Sequence, residues 1–450
     1  MRTIFSVFLT AALLLSLCAC GVPVPESGGE ESAPAYPSAV PYPDETAYLK
    51  PNGELKDEFY DAWTAWSEEG RARRELGAGS AQGLEGCFAA LLRQYLTAPD
   101  GRNKILSPLN LYIALAMLAE VTGADSRDEI LALLGEEDIA AVREKAGTLW
   151  RANYQDDGAT AVLPAASFWL RDDTEYVPET LDLLAREYFA SAHRGKMGSD
   201  ELNAALQSWL NEETGGLLKE AAGGIATTPE TVLALCATLY FRARWSDEFS
   251  ENVTAPDVFH APDEDRTCEF MHQNGPRSYY WGECFSAVAQ RLESGGAMWF
   301  LLPDEGVTPE DLLADEEAMA FLLAPGESGE KSKFLVVNLS VPKFDVNSDL
   351  DLRAGLRSLG LVEVFDPDEA DFSPLAKDPK GIFLSDAKHA ARVVIDEKGC
   401  VAAAYTVMMA AGAAMPPEEK VDFTLDRPFL FLITGEDNVP LFAGVVNEPA

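Results

Sequence analysis

Only four histidines occur in this chain, His193, His260, His272 and His389, and no two stand at the spacing of metal ligands. The patterns G-x-S-x-G, H-E-x-x-H, G-x-x-x-x-G-K-[ST] and G-x-G-x-x-G are all missing. Their absence removes the usual signs of hydrolase, zincin, P-loop and dinucleotide chemistry, so the expectation is a non-enzyme with neither cofactor nor metal. The seven cysteines form no C-x-x-C pair and no zinc spacing. Positive charge is scarce: 35 Lys and Arg stand against 74 Asp and Glu, a net charge of -39. Such a surface repels nucleic acid and anionic headgroups, so neither is an expected partner. What the chain does have is apolar content, 47% hydrophobic and 10% aromatic, which is ample for a buried core.

The first residues read as an address. Met1 and Arg2 precede an apolar run from Ile4 to Leu17 that is too short to span a bilayer as a mature helix, and Leu17, Cys18, Ala19 and Cys20 follow it. That tetrapeptide resembles a bacterial lipobox, which implies removal of residues 1–19 and lipidation of Cys20. The expected location is then exported, at the cell surface or outside it, with the lipid as the only membrane contact. Cys87, Cys236, Cys268, Cys284 and Cys400 remain, an odd number best read mostly as small buried apolar residues. Prolines at 23, 25, 34, 37, 41, 43 and 51 predict a stiff, extended tether. Residues 52–80, with Tyr60, Trp63 and Trp66, predict a helix without an assigned role. Residues 20–81 thus read as a tether with an uncertain helical segment, and residues 82–450 as one domain.

A conflict marks the candidate site. Asp396 to Ala414 reads DEKGCVAAAYTVMMAAGAA, the composition of a buried strand, yet Pro416, Pro417 and the charges after them stop it as a surface loop is stopped. Such disagreement between local sequence and context concentrates at functional or strained sites. If the segment is a strand entering a packed sheet, alternate residues Cys400, Ala402, Ala404, Thr406, Met408 and Ala410 face the core, while Val401, Ala403, Tyr405 and Val407 face away. The first three inward residues are small. No arginine or lysine lies between Lys398 and Lys420.

Other stretches have local logic. Ser107 and Pro108 read as N-cap and first helical residue. Ser126, Arg127, Asp128 and Glu129 read as a capping box that opens a helix stopped by Gly135. These fragments, with Trp209 to Gly216, Tyr240 to Trp245, Met298 to Pro303, Val341 to Phe344, Leu359 to Leu361, Ala370 to Ser373 and Arg427 to Phe431, resemble the serpin family in order and spacing, from about residue 85 to 449.

That resemblance implies an α+β fold of three β-sheets and eight or nine helices with an exposed reactive-centre loop. It implies a suicide inhibitor of serine proteases that inserts its cleaved loop into the large sheet, sheet A, and it implies a monomer. Glu397, Gly399, Cys400, Val401, Ala402, Ala403 and Ala404 match the hinge, although Cys400 stands where Thr or Ser is usual. The reactive bond is expected between Ala413 and Ala414, and the small uncharged residues there suit an elastase- or subtilisin-like protease, with a papain-like cysteine protease as a further partner class. Ser107, Asn110, His389 and Trp245 match a sheet-opening cluster. Position 237, usually asparagine, is Ala237, and Asn110 is expected to supply the missing amide. The alternative is a non-inhibitory surface or binding protein of the same fold, against which the small residues Ala402 to Ala404 argue.

Overall fold

The computed structural model describes residues 29–32, 34–97, 101–216, 224–293, 295–327, 329–400 and 417–449. Two hydrogen-bonded networks organise it. Numbered in chain order, the first contains β1 (Gly29–Ser32), β3 (Gln155–Asp156), β4 (Ala161–Arg171), β5 (Ala190–Gly195), β6 (Leu233–Arg244), β12 (Phe344–Asp351), β13 (Leu384–Asp396) and β14 (Gly399–Cys400). Its order is β1-β5-β4-β6-β14-β13-β12, with β3 on β4. The second contains β2 (Lys104–Leu106), β7 (Ala255–His260), β8 (Asp265–Trp281), β9 (Phe285–Arg291), β10 (Ala297–Pro303), β11 (Ser332–Pro342), β15 (Lys420–Thr424), β16 (Phe429–Thr434) and β17 (Pro440–Val446). Its order is β15-β11-β8-β9-β10-β16-β17-β2, with β7 on β8. This network holds two of the three expected sheets, because the long β8 pairs with β7 and β11 and, at its far end, with β9.

The strands β10, β16 and β17 are buried at every residue, as their continuous apolar sequences require. Helix α3 (Pro108–Val121) is apolar all round and likewise wholly buried. Ser107 caps it, its hydroxyl accepting from the Asn110 N–H at 3.3 Å, and Pro108 takes the first turn, as the sequence predicts. The capping box at Ser126 is not formed. Helix α4 (Ala124–Leu134) starts three residues earlier, with Gly123 rather than Ser126 as N-cap. The Ser126 hydroxyl instead accepts from the Asp371 N–H, and Glu129 accepts from the N–H groups of Val362 and Glu363. A distant loop took the side chains that a local rule assigned to the helix end.

Ten α-helices lie among the described residues, nine of them after residue 82. The tenth is α1 (Asp57–Gly77), and with the chain before it this helix departs from the expected free tether. Acidic Asp57 and Glu58 at its start and Arg74 at its end suit the helix dipole. It packs on α5 (Ile139–Asn153), where Gly77 lets the backbone approach Ala152; a Cβ there would lie 3.2 Å from the Ala152 Cβ. Tyr36 stacks on Trp150, Tyr154 and Phe189 at 6.0–6.3 Å. The Trp66 indole donates to Asp157 at 2.8 Å, and the Tyr42 hydroxyl donates to Glu293 at 2.7 Å. Aromatics spaced along the stretch hold it against the domain, because each ring packs on or hydrogen-bonds to a partner there.

A chain beginning at residue 82 should therefore fold but unfold several degrees below one beginning at residue 34, since the Tyr36 stack and the α1 contacts are worth a few kcal/mol. Equal calorimetric midpoints would show that this layer adds nothing.

Candidate functional site

The strand β13 ends at Asp396, Glu397 and Lys398 turn, and β14 returns antiparallel, with Cys400 opposite Ile395 and Gly399 opposite Asp396. The other edge of β14 pairs with β6, Gly399 with Arg244 and Cys400 with Ala243. The strands β6 and β13 are parallel to each other, and at their far end they pair directly, Leu233 to Leu235 against Leu384 to Ala387. Between these ends, residues 236–242 and 388–394 share no ladder pairing with each other among the described residues. The hairpin is thus a wedge in the mouth of a sheet that is closed at its other end.

Five hydrogen bonds pin the turn of this wedge. The backbone N–H of Trp245 donates to the Lys398 carbonyl at 3.0 Å, and its indole donates to the Asp396 carbonyl at 2.9 Å. The Phe249 N–H donates to the Glu397 carbonyl at 2.9 Å. The Glu397 carboxylate accepts from the Thr254 hydroxyl and from Lys343, both at 2.8 Å. Burial opposes its ionisation, but Lys343 and Thr254 outweigh that and hold its pKa below the ordinary carboxylate range. The sequence reading assigned Glu397, Gly399 and Trp245 to the hinge and sheet opening, and here the three meet.

Gly399 earns its place for a different reason from the freedom to swing. A Cβ at this residue would lie 2.1 Å from the Ala243 carbonyl oxygen, so only glycine lets β14 close on β6. Cys400 is buried, with Sγ 4.0 Å from Met298 Sδ, and burial pushes its thiol pKa up. The thiol is neutral there and packs as a small apolar group. Val401, Ala402, Ala403, Ala404, Ala413 and Ala414 lie outside the described residues, as does Cys20. The chain resumes at Pro417, and β15 joins the other sheet parallel to β11.

Ser107, Asn110 and His389 come together beneath the unpaired stretch. His389 is buried, its Nε2 accepts from the Ser107 N–H at 3.0 Å, and desolvation pushes its pKa down to about 4. It is therefore neutral at pH 7, with Nε2 as the acceptor. Asn110 and Ala237 line a cavity of about 30 Å³ with His389. The Asn110 amide does not reach across: its Nδ2 has no hydrogen-bond partner, so it fails to replace the amide missing from position 237 in this state. The cavity is the physical reason, since alanine at 237 leaves a gap that a side chain fixed to α3 does not fill. The Thr238 hydroxyl is also buried without a partner. Thr254, Lys343 and Phe249, which complete the turn, escaped the sequence reading; Lys343 stood inside a quoted fragment, and its charge beside apolar Val341 and Phe344 was the available signal.

Comparison with known proteins agrees with this geometry. The family model described as serpin (serine protease inhibitor) matches residues 86–449. Serpin-Z2A of Triticum aestivum is 30% identical over 373 residues, 77% of this chain and 90% of that protein. Serpin B8 of Homo sapiens is 27% identical over 376 residues, 81% and 98% of the two chains. Among solved structures, native tengpin, a thermophilic serpin, superposes with a TM-score of 0.70 at 22% identity, covering 82% of this chain and 94% of its own. The complex of thyroxine-binding globulin with thyroxine gives 0.70 at 21% identity, covering 82% and 99%.

Two measurements check the hinge. His389 has a folded pKa below its unfolded value, so the unfolded chain binds more protons between pH 6.5 and about 4, and stability should fall by a few kcal/mol as pH drops through that window. Thermal midpoints of His389→Asn should be much flatter there, and an equal slope would refute the assignment. Below pH 4.5 the contribution of Glu397, whose folded pKa is lowered, is lost in turn as its carboxylate is protonated. Separately, Gly399→Ala should displace β14 from β6 and expose Cys400 to thiol reagents that leave the parent protein unlabelled at that position. Unchanged labelling would mean the backbone accommodates a Cβ.

Proposed function

Because this chain belongs to the serpin family, whose members are typically protease inhibitors, we propose that it traps a serine protease of elastase or subtilisin type by inserting its own cleaved loop into the first sheet. The observation that carries this reading is the docking of Gly399 and Cys400 between β6 and β13. The pairings at the two ends of the gap share one register, so the wedge defines where further residues go. If an inserted strand kept that register, Ala402 would fall between Phe241 and Val393, Ala404 between Leu239 and Ala391, and Thr406 between Ala237 and His389. Phe241, Val393, Leu239 and Ala391 are all buried. Small side chains at 402 and 404 fit between them without overpacking. Thr406 would bring a hydroxyl to the cavity where the Asn110 amide has no partner.

In this mechanism the protease serine attacks the carbonyl carbon of Ala413. The peptide bond to Ala414 breaks, the amine of Ala414 leaves with a proton, and an ester joins Ala413 to the serine. Insertion then adds a strand to the sheet and drags the enzyme away before water hydrolyses the ester. The loop matters more for speed than for affinity. Small, uncharged residues at 413 and 414 suit a shallow apolar pocket, whereas a trypsin-like pocket would bury an unpaired aspartate. The sequence around Cys20 supports export and lipid anchoring of the same protein in a bacterial envelope.

Purified protein should form a denaturant-resistant 1:1 adduct with an elastase or subtilisin, and cleavage between Gly412 and Met415 without trapping should raise the thermal midpoint by tens of degrees. Ala402→Arg should be cut at the same bond and release active enzyme, because a charge would have to be buried at an inward position. Ala403→Arg, which stays partly solvated, should do far less harm. If every protease of these classes cuts the loop and remains active on the parent protein, the inhibitory reading falls and the fold serves binding instead.

A further inference from the structure

The strands β8 and β9 pair only at their joined ends, Tyr279 with Val288, Tyr280 with Ala287 and Trp281 with Ser286. Beyond that point β8 stays on β11, and β9 stays on β10 as far as Arg291 opposite Ala297. Residues 275–278 therefore diverge from residues 289–291, and the fork between them holds a cleft of about 730 Å³. That is the size of a small-molecule site.

Its lining joins aromatic walls to an unusual cation. Tyr280, Trp299 and Phe334 line it, and Phe334 is 61% exposed. Trp299 is only 7% exposed, yet its indole N–H has no hydrogen-bond partner. Arg277 is partly buried in the fork. One of its Nη atoms donates to Gln290 Oε1 at 2.8 Å, the other to Gln273 Oε1, and its Nε has no partner. Gln290 is itself 2% exposed and held in place by its own bond to the Asp247 carbonyl at 2.6 Å. Among the described residues its direct hydrogen-bond partners are thus neutral amide oxygens, and desolvation presses its pKa down against the smaller opposing pull of the Asp247 charge. The titratable neighbours at the cleft are Asp247, which is exposed and makes no ion pair with it, Arg291, also exposed, and Glu293, which accepts from the Tyr42 hydroxyl. In a chain with about two acidic residues for each basic one, a sheltered guanidinium with no described carboxylate in direct contact is out of keeping with its surroundings.

We propose that this fork binds a small aromatic carboxylate, its ring against Phe334 and Tyr280 and its carboxylate supplying Arg277 with the directly bonded anionic partner that no described residue provides. The planar guanidinium suits a carboxylate, and aromatic walls suit a flat apolar body. The cleft adjoins the Trp245 segment that pins the hinge, through Ser246 and Leu292, but contains none of the hinge residues, and the proposal does not depend on the inhibitory reading. Titration calorimetry on the full purified chain with 1-naphthoate and, as its neutral counterpart, 1-naphthylmethanol tests it. The carboxylate should bind at least about tenfold more tightly than the alcohol, the scale of one charge-assisted pair. Arg277→Gln should abolish that difference, and Phe334→Ala, an exposed position whose change spares the fold, should weaken both probes severalfold. If Arg277→Gln fails to fold, Phe334→Ala decides alone. Equal binding of the two probes to the parent protein, no binding of 1-naphthoate at millimolar concentration, or an affinity unmoved by either folded variant would overturn the assignment.

Discussion

Two parallel strands, each paired to a neighbour on its outer side, meet only at one end and are forced apart at the other by a two-residue hairpin. Much of the molecule can be understood as what makes that arrangement tolerable. A backbone that is not paired within a buried sheet is costly, so the opening has to be held by bonds from outside the two strands. Trp245, Phe249, Thr254 and Lys343 supply them, all to the Asp396–Lys398 turn. Fixing the turn rather than the strands leaves the gap below it free to accept or refuse a strand.

Charge is distributed in keeping with that division. The ionised groups at the mouth, Glu397 and Lys343, are paired with each other at the turn. Below it the buried polar groups are neutral, among them the Cys400 thiol, His389 accepting from a backbone N–H, the Asn110 amide and the Thr238 hydroxyl, while Arg242, Lys388 and Arg392 of the same strands are not buried. Inward side chains of an entering strand would therefore meet no buried ion among these groups that must first be dehydrated, which would keep that part of the barrier low. The Asn110 amide at the small cavity, which has no partner among the described residues, leaves this state less satisfied than a filled one would be.

The hinge was legible in the chain because its residues are constrained one at a time: a glycine where no Cβ fits, small residues where a sheet must receive them, and a serine before a proline at a helix start. Ser107, His389 and Trp245 were placed as a cluster by their resemblance to a family pattern, since on local grounds alone His389 and Trp245 read as core residues. What the sequence could not convey was partnership at a distance. Ser126 and Glu129 satisfy a local capping rule on paper, but the groups they serve belong to residues 362, 363 and 371, far along the chain. Asn110 has the right chemistry for an absent amide and the wrong reach. The stretch before residue 82 misled through its prolines, while its packing resides in Tyr36, Tyr42 and Trp66, whose partners Trp150, Asp157 and Glu293 are set by tertiary structure alone. Arg277 gave no signal at all, since nothing in a sequence shows that a strand will part from its neighbour.

The pairing of β1 with β5, Gly29 opposite Arg194 and Ser32 opposite Ala192, fixes where the chain leaves the domain. With a lipid on Cys20 as proposed, only residues 21–28 lie between the membrane and that strand, and fully extended they reach at most about 30 Å. The body would then ride close above the lipid surface, with the β1 edge of its first sheet nearest the bilayer. A short leash of this kind would confine the working volume of the loop to a shell around the cell. Enzymes acting at that surface are met at high local concentration, and those in the bulk medium seldom.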